Sequence, residues 1–364
     1  MVKLVWNKPE KISSKSNRED LNFELIERTE NSKINRKEGL NRSSQWANKL
    51  FWSDNIDVLN WCLKNLKKKI DLVYIDPPFF SGTNYEIEIS HEDENFDSIA
   101  YRDRWGNNLD SYLHMLFARL KLIKKVLSEK GLIFFHCDWH ASHYIRVLLD
   151  NIFGRNNFVN NIVWYYYNKY SAGKSNLPRA HDDIFIYSKS KNYTFNEIRI
   201  PRDKPRKQLK RVMVNGVLKN AKDENGNVIY RIVNDKKLDD VWRIPCMQPA
   251  SKQWTGFPTQ KHHKLLERIL ELGSIEGDLI ADFFCGSGTS AYMAEKMGRR
   301  WIVSDISKYS IYLTRQRLLA LKEKQRESAL NSYPFEILTH MNEDKQQVMD
   351  SGFFAKELTI KRKK

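Results

Sequence analysis

The sequence of 364 residues predicts an α/β fold built on a mostly parallel, doubly wound sheet. Short apolar runs, typical of buried strands, alternate along the chain with longer segments whose apolar residues recur at helical spacing. One strand-like run leads through a glycine-rich turn into a helix, at residues 278–297. The length is sufficient for one large domain and a smaller module.

The first half of the chain alternates between strand and helix patterns from residue 48 onward. Residues 1–45 are polar and charged, and we interpret them as a weakly ordered arm or an accessory cap. The segment SYLHMLFARLKLIKKVLSEKG (111–131) predicts a helix that stops at Gly131. The other predicted elements are a strand and helix within 48–66, strands at 70–76, 132–136, 158–167 and 182–189, and a helix at 140–154.

The segment 190–256 interrupts this alternation. It is rich in Lys and Arg and carries turn signals at Asn215-Gly216 and Asn225-Gly226, which predict an inserted module of short β segments. After it come predicted helices at 262–272, 290–297 and 307–324 and strands at 278–284 and 300–306. Residues 331–364 are expected to form a tail with a solvated basic end.

The composition indicates a polyanionic partner. Lys and Arg total 61 against 45 Asp and Glu, which gives a formal net charge of +16. Because the chain has neither a long uncharged apolar stretch nor an apolar N-terminal core, we expect no membrane span and no secretion. The four cysteines form no CxxC pair, which favours a reducing, cytoplasmic location.

The glycine-rich turn runs from Asp282 to Gly288 in the order D-x-F-x-G-x-G between a strand and a helix. Its glycines allow close approach of a ligand, and free amides at the helix start favour a carboxylate. The next strand ends near Asp305, which can accept hydrogen bonds from both hydroxyls of a ribose. A tight strand-to-helix connection is the alternative. Since the GxGxxG pattern is absent, the turn favours S-adenosylmethionine over NAD.

The sequence Asp76-Pro77-Pro78-Phe79 follows an apolar strand, at the sheet edge where ligands bind. Asp76 and the carbonyl of Pro77 can both accept hydrogen bonds from one NH2 group, while Phe79 stacks on a planar base. Two such acceptors localise the amino lone pair for attack on a methyl sulfonium. In duplex DNA the base must first be flipped out. By itself, Asp-Pro-Pro is better explained as a strand that ends at a proline-rich turn.

Together these segments resemble the amino-methyltransferases of bacterial restriction–modification systems. The matching segments are DPPF (76–79), GLIFFHCDWH (131–140), IFGRNNFVNNIVW (152–164), FPTQKHHKLLERIL (257–270) and DFFCGSGTS (282–290). The tetrad Asp76-Pro77-Pro78-Phe79 precedes the glycine-rich turn in the sequence, as it does in the permuted β class of these enzymes. That class is related to the modification subunits of type III systems. The chain departs from the family where QKP is replaced by Gln260-Lys261-His262 and the commoner DPPY by DPPF.

The resemblance implies a Rossmann-like S-adenosylmethionine-dependent methyltransferase fold. Residues 46–189 would form its catalytic half, 257–330 its cofactor-binding half and 190–256 a target-recognition insert. It implies that Asp76, Pro77, Pro78 and Phe79 form the catalytic tetrad. The implied cofactor-binding residues are Phe257, Pro258, Thr259, Gln260, Lys261, Asp282, Phe283, Cys285, Gly286, Gly288, Thr289 and Asp305. Double-stranded DNA is the implied substrate, and a homodimer and a cognate restriction endonuclease are the other partners that the resemblance suggests.

Three further groups of residues are candidates for a functional role. A basic run, expected to contact DNA phosphates although a solvated loop is the alternative, comprises Arg202, Lys204, Arg206, Lys207, Lys210 and Arg211. No metal is expected at the cluster His136, Cys137, Asp138, His140 and His143, because it is divided between a strand end and a helix start. Pro245-Cys246 resembles the nucleophilic dipeptide of cytosine-C5 methyltransferases, but its place in the variable segment favours a structural role.

The residues favour a site-specific DNA methyltransferase that acts on N6 of adenine. Aspartate at the first tetrad position favours adenine, whereas serine is commoner there in cytosine-N4 enzymes, which are the nearest alternative. A non-catalytic DNA-binding subunit is a second alternative, against which the intact Asp76, Gly286 and Gly288 argue. Methylation of RNA or of a protein amide is a third. The basic insert favours a nucleic acid over a protein and does not distinguish DNA from RNA.

Overall fold

The computed structural model describes residues 22–29, 46–91, 94–103, 108–169, 175–327 and 333–362. The first half contains β1 (Glu24–Arg28), β2 (Asn48–Trp52), α1 (Asn55–Asn65), β3 (Ile70–Ile75), β4 (Asn84–His91), β5 (Glu94–Arg102), α2 (Leu109–Val126), β6 (Leu127–Cys137), α3 (Ser142–Phe153), β7 (Phe158–Tyr165) and β8 (His181–Ser188). The second half contains β9 (Arg199–Leu209), β10 (Arg211–Val214), β11 (Val217–Asn220), β12 (Tyr230–Lys237), β13 (Val241–Arg243), α4 (His263–Gly273), β14 (Leu279–Asp282), α5 (Thr289–Lys296), β15 (Arg300–Asp305), α6 (Lys308–Glu327), β16 (Phe335–Thr339), α7 (Glu343–Asp350) and β17 (Thr359–Arg362).

A ten-stranded sheet organises the molecule, in the order β1-β16-β2-β15-β14-β3-β6-β8-β7-β13. The strands from β16 to β6 pair in parallel, whereas β1 and β8 pair antiparallel with their neighbours. This confirms the predicted mostly parallel α/β sheet. Because β14 and β3 are adjacent and parallel, the glycine-rich turn and the tetrad leave the sheet at the same edge.

Two apolar layers cover the faces of this sheet, as expected when successive strand residues point to opposite sides. On β3, Leu72 and Tyr74 pack in one layer with the helices α4, α5 and α6. Val73 and Ile75 pack in the other layer with α1, α2 and α3. The sheet is therefore covered by helices on both sides, which is why its central strands are apolar without alternation.

The predicted end of the second helix at Gly131 is wrong. The helix α2 ends at Val126, and Leu127 already belongs to β6, where it pairs with Ile70. A Cβ atom at Gly131 would lie 3.0 Å from the carbonyl oxygen of Ser128 and 3.1 Å from that of Ile70. Gly131 therefore permits close packing of backbone within the strand and does not terminate a helix.

Both chain ends contribute strands that the sequence analysis did not predict. Within the predicted arm, β1 pairs with β16, and the rest of that arm lies outside the described residues. Within the predicted tail, β16 lies between β1 and β2 in the main sheet, with Phe335 and Ile337 fully buried. The expectation of a solvated basic end is wrong as far as Arg362, because β17 pairs with β4 in a separate sheet, β17-β4-β5.

The segment 190–256 forms a β ribbon and then returns to the main sheet. The strands β9 and β12 pair antiparallel, and β10 and β11 form a hairpin whose turn residues Asn215 and Gly216 have φ values of 50° and 76°. Such positive values are what an Asn-Gly hairpin turn requires. The strand β13 then pairs with β7, so the end of the predicted insert is part of the ten-stranded sheet. In the described part of the chain, no helix is long and apolar enough to span a membrane.

Candidate active site

A cavity of about 570 Å³ opens where β3, β14 and β15 end. Its walls contain the whole predicted tetrad and every predicted cofactor residue except Gly288. These residues come from three separate segments, 76–79, 257–261 and 282–305, which only the parallel order of the strands brings together. The edge of the sheet thus assembles one site from motifs that are distant in the sequence.

Asp76 lies just beyond β3 and is mostly buried, with 16% of its side chain exposed. Its Oδ2 atom forms an ion pair with the Nζ atom of Lys261. Its Oδ1 atom lies 3.3 Å from Nδ1 of His136 but accepts no hydrogen bond from any described residue. A buried carboxylate oxygen without a donor is costly unless a ligand supplies one. Asp76 therefore lines the cavity with a carboxyl group whose Oδ1 atom has unused acceptor capacity.

Asp103 holds the loop that follows the tetrad. One of its carboxylate oxygens accepts hydrogen bonds from the backbone N–H groups of Phe79 at 3.1 Å and Ser81 at 2.8 Å, and the other accepts one from Phe80 at 2.9 Å. Phe80 has a φ of 64°, a strained value for this residue, so the loop depends on these three bonds. The sequence analysis missed Asp103 because it lies beyond a β hairpin and belongs to no recognised motif.

Phe79 forms part of the cavity wall beside the ion pair. The Nζ atom of Lys261 lies 5.3 Å from the centre of the Phe79 ring, within the range of a cation–π contact. Lys261 is itself buried and also donates a hydrogen bond of 3.1 Å to the carbonyl of Thr259. One ammonium group therefore contacts both the carboxylate and the aromatic ring of the tetrad.

The segment 257–261 is shaped by internal hydrogen bonds. Gln260 is buried and accepts from the backbone N–H of Thr255 at 2.9 Å while donating to the carbonyl of Gln253 at 2.6 Å. His262 occupies the position of the family's proline, and its ring accepts a hydrogen bond from the N–H of Lys264 at 3.2 Å. It therefore caps α4, so the helix start is retained without the proline.

Two buried carboxyl groups flank the glycine-rich turn. Asp282 accepts hydrogen bonds from the N–H of Phe284 at 2.9 Å and from the hydroxyl of Ser290 at 2.6 Å, and burial raises its pKa to about 7. Asp305 accepts from the N–H of Gly286 at 2.9 Å, and burial raises its pKa as well. Each carboxylate oxygen has a second lone pair, so both groups can also accept bonds from a ligand.

The two glycines of the turn have different roles. Gly286 has a φ of 49°, and a Cβ atom there would lie 3.2 Å from the ring of Phe257, which covers the turn. Gly288 has a φ of 73°, and a Cβ atom there would lie 2.3 Å from Oγ1 of Thr314 on α6. The absence of a side chain at Gly288 lets the turn pack against α6, and Gly288 does not line the cavity.

Replacing Gly286 with valine is expected to weaken binding of S-adenosylmethionine by at least about tenfold. The substitution strains a left-handed backbone and presses Phe257 into the cavity. Gly277→Val is the matched control, since its φ is 78° and no atom of the described residues lies within 4 Å of its Cβ position. Calorimetric titration of both variants measures the effect. A wild-type affinity of Gly286→Val for S-adenosylmethionine would show that Gly286 does not belong to the binding site.

Helix α2 contributes a positive charge that the sequence analysis missed. The side chain of Arg119 lines the cavity and donates a hydrogen bond of 2.5 Å to Oδ1 of Asn55. Asn55 in turn donates one of 3.0 Å to the carbonyl of Phe283. Burial lowers the pKa of Arg119, although the group remains a cation at neutral pH. No motif marks these residues, because each is an ordinary polar position on a helix.

Of the other two clusters, only His136 contacts the tetrad, with its Nδ1 atom 3.3 Å from Oδ1 of Asp76. Nδ1 of His140 lies 2.6 Å from Oδ2 of Asp138, and within the described residues no three His, Cys, Asp or Glu side chains are placed to hold a metal. Cys246 is not in the wall of the cavity, and burial raises the pKa of its thiol. A raised pKa opposes the thiolate that nucleophilic attack would need.

The predicted basic run lies on the ribbon, mostly in exposed positions. Arg202 is partly buried, and it donates a hydrogen bond of 2.8 Å to the carbonyl of Asp235. In β9, Arg206 pairs with Val233 of β12 and Lys207 with Ile232, so the side chains of Arg206 and Lys207 point to opposite faces of the ribbon. The run therefore does not form one continuous basic face.

The sequence matches the family model described as DNA methylase over residues 70–316, more than half of the chain. It is 27% identical over 314 residues to the type II methyltransferase M.EcaI of Enterobacter cloacae, covering 72% of this chain and 67% of that protein. It is 26% identical over 261 residues to the DNA adenine methyltransferase YhdJ of Escherichia coli K12, covering 70% of this chain and 80% of YhdJ. Modification subunits of type III restriction–modification enzymes also match.

Among solved structures, the PvuII DNA methyltransferase, described as cytosine-N4-specific, is similar in fold. It is 15% identical, with a TM-score of 0.50, and the match covers 85% of this chain and 94% of that one. The methyltransferase fold implied by the motifs is confirmed. The cofactor of this family is S-adenosylmethionine, as predicted. The chain is a DNA methyltransferase that belongs to the DNA methylase family of N6 and N4 methyltransferases.

Proposed function

We propose that this protein methylates N6 of adenine at a specific sequence in duplex DNA. The observation that carries the proposal is the carboxyl group of Asp76, which lines the cavity beside the ring of Phe79 and whose Oδ1 atom accepts no hydrogen bond from the described residues. An exocyclic amino group would supply the missing donor, and the attached base would stack on Phe79. The same carboxylate would hold the amino group in position for transfer.

The walls of the cavity fit S-adenosylmethionine. The buried carboxyl groups of Asp282 and Asp305 suit its positive charge and its ribose hydroxyls, and the glycine at position 286 leaves the turn open beside Phe257. When bound, the cofactor supplies a methyl group on a positively charged sulfur. Asp76 and the Pro77 carbonyl orient the amino nitrogen, and Lys261 balances the charge of Asp76 while no base is bound.

The choice of adenine rests on the tetrad. A carboxylate at the first position, Asp76, is a stronger acceptor than the serine hydroxyl that is commoner in cytosine-N4 enzymes. The name of the relative YhdJ, a DNA adenine methyltransferase, supports the same choice. Cytosine N4 is the second candidate, because the fold is shared with the cytosine-N4-specific PvuII enzyme.

A labelled-methyl assay tests the proposal. Purified protein is incubated with labelled S-adenosylmethionine and unmethylated duplex DNA of mixed sequence, and the DNA is digested to nucleosides. Labelled N6-methyladenine is the expected product. Labelled N4-methylcytosine would overturn the base assignment and keep the site. RNA of the same sequence, added as a competitor, should not take the label, and preferential labelling of RNA would overturn the choice of DNA.

Asp282 predicts a pH dependence of cofactor affinity. Because its pKa is about 7, its carboxyl group is only partly ionised at neutral pH, and the cationic cofactor favours the ionised form. Affinity should therefore rise as the pH increases through about 7 and level off above it. Titration calorimetry at several pH values measures this. In Asp282→Asn the amide does not titrate, so the rise should be smaller; equal slopes in both proteins would contradict the assignment.

We propose that the exposed part of the basic run contacts DNA phosphates. Arg206→Ala should weaken DNA binding similarly for all sequences and lower the slope of log K against log salt concentration by about 1. Lys67→Ala is the control, since Lys67 is exposed before the amino end of β3, at the opposite edge of the sheet from the cavity. Fluorescence anisotropy at several salt concentrations measures both slopes. An unchanged slope in Arg206→Ala would exclude that contact.

The domain organisation and the partners remain part of this proposal. Residues 46–189 and 257–330 would form the two halves of the catalytic domain, with the ribbon of 190–256 as the target-recognition insert. A homodimer and a cognate restriction endonuclease are the partners proposed in addition to duplex DNA. The four cysteines are unpaired in the structure, which agrees with the proposed cytoplasmic location.

A further inference from the structure

A buried chain of polar side chains lies behind Asp76. His136, at the end of β6, is fully buried and lies between two carboxylates. Its Nδ1 atom lies 3.3 Å from Oδ1 of Asp76 and 3.0 Å from the hydroxyl of Tyr74, and its Nε2 atom lies 3.2 Å from Oδ2 of Asp182. The hydroxyl of Tyr166 donates to Oδ1 of Asp182 at 3.1 Å. The proposed function uses Asp76 but not the groups behind it.

The hydrogen bonds determine which ring nitrogen carries the proton. Burial raises the pKa of Tyr74 well above its ordinary value, so its hydroxyl keeps its proton and can donate to Nδ1 of His136 when Nε2 carries the ring proton. Burial would raise the pKa of Asp182, but the hydrogen bond from His136 and the positive charge of Lys261 hold it below its ordinary value. Asp182 is then a carboxylate that accepts from Nε2–H. In this state Nδ1 has no proton to donate to Oδ1 of Asp76, 3.3 Å away.

We propose that His136 and Asp182 form a proton relay that receives the proton shed by the methylated amino group. This inference rests on the proposed function. The amino N–H bond breaks as the proton passes to Oδ1 of Asp76, and that O–H bond breaks in turn as an N–H bond forms at Nδ1 of His136. The Tyr74 hydroxyl rotates away from Nδ1, and Asp182 balances the charge of the imidazolium. The proton returns by the same atoms to solvent once the product has left.

The relay predicts a pH dependence of methyl transfer. If His136 is already protonated, its Nδ1–H donates to Oδ1 of Asp76, and that atom is no longer a free acceptor for the base. The rate should therefore fall on the acidic side of the pH profile. The titratable and charged groups that face His136 or the Asp76 carboxylate are Tyr74 and Asp76 from β3 and the turn after it, Tyr166 from the end of β7, Asp182 from β8 and Lys261 from the segment before α4.

Single-turnover methyl transfer, measured from about pH 5 to about pH 9 on duplex DNA, tests the relay. His136→Gln should lower the rate by about 100-fold, the low end of the range for a positioned proton-transfer group, and should abolish the acidic fall. Asp182→Asn should move the acidic fall to lower pH, because the carboxylate that stabilises the protonated ring is lost. Asp150→Asn is the matched control. This variant removes a carboxylate that accepts a hydrogen bond of 2.5 Å from Tyr187. Tyr187 lies in β8, as Asp182 does, but the pair is not part of the relay.

The outcomes of these measurements distinguish a failure of the relay proposal from a failure of the proposed methyl transfer. Cofactor affinity, DNA affinity and the melting temperature are measured alongside, and the two affinities should stay within a few fold of wild type. An active wild type with unchanged rates and pH profiles in His136→Gln and Asp182→Asn overturns the relay alone. A lower rate with the wild-type profile also overturns it, since the effect is then structural. If His136→Gln does not fold, the profile of Asp182→Asn decides. A wild type that methylates no nucleic acid overturns both proposals.

Discussion

Replacing Asp76 with alanine is expected to lower single-turnover methyl transfer by about 100- to 1000-fold, the effect of removing one positioned polar contact from a reacting group. The variant loses the free Oδ1 acceptor and the partner of Lys261, whereas the carboxyl groups of Asp282 and Asp305 stay in place. Affinity for S-adenosylmethionine should therefore remain within a few fold of wild type. Rapid-quench transfer and calorimetric titration on the same preparations separate the two effects.

Asp305→Ala provides the reciprocal comparison. Asp305 accepts hydrogen bonds from the backbone at Gly286 and Ser307, next to the proposed ribose position, so its loss should weaken cofactor binding first. Asp76→Asn keeps the size of the side chain and removes the charge, and it tests whether the ionised form is needed. The assigned role of Asp76 is contradicted if Asp76→Ala loses as much cofactor affinity as Asp305→Ala.

Replacing Gly256 with alanine is expected to lower the free energy of unfolding by at least about 3 kcal/mol, among the large values for point substitutions. Gly256 has a φ of 85°, and a Cβ atom there would lie 1.6 Å from the carbonyl oxygen of Ile360 in β17. Backbone must move to relieve such a contact. Because the cavity-lining segment 257–261 begins at the next residue, affinity for the cofactor should fall as well.

Gly226→Ala is the matched control for Gly256→Ala. Gly226 has a φ of 82°, but within the part of the chain that the structure describes no atom lies within 4 Å of its Cβ position. It should therefore show only the cost of the left-handed backbone, about 1–2 kcal/mol. Denaturant unfolding measures both variants, and hydrogen exchange of 359–362 reports whether β17 is released. Equal destabilisation of the two variants would show that the contact with Ile360 is unimportant.

The predicted segments that the structure brings to one cavity have local signatures. Asp-Pro-Pro-Phe is read from four consecutive residues, and the glycine-rich turn is read from a strand, its glycines and the next helix. Asp103 has no such signature, since it acts on the backbone of Phe79, Phe80 and Ser81 across a β hairpin. The packing of Gly288 has no local signature either, because the atoms nearest its Cβ position belong to Thr314 of α6.

The difference between local signatures and tertiary contacts also explains the errors in the fold prediction. Gly131 has the usual position of a helix end, yet pairing of Leu127 with Ile70 draws the preceding residues into β6. The strand β16 was not predicted because its pattern is short, and it is stabilised by pairing with β1 and β2 from the other end of the chain. Tertiary pairing overrides a weak local preference whenever the paired strand is buried.

The sequence by itself determined the α/β class, the order of the motifs, the cofactor and the family, because these depend on residue types at short spacing. Only the tertiary structure decided which groups meet at the cavity. The ion pair of Lys261 with Asp76 and the contacts of His136 with Asp76 and Asp182 join segments that are far apart in the chain. Their proximity follows from the order of β3, β6 and β8 in the sheet, which no local pattern specifies.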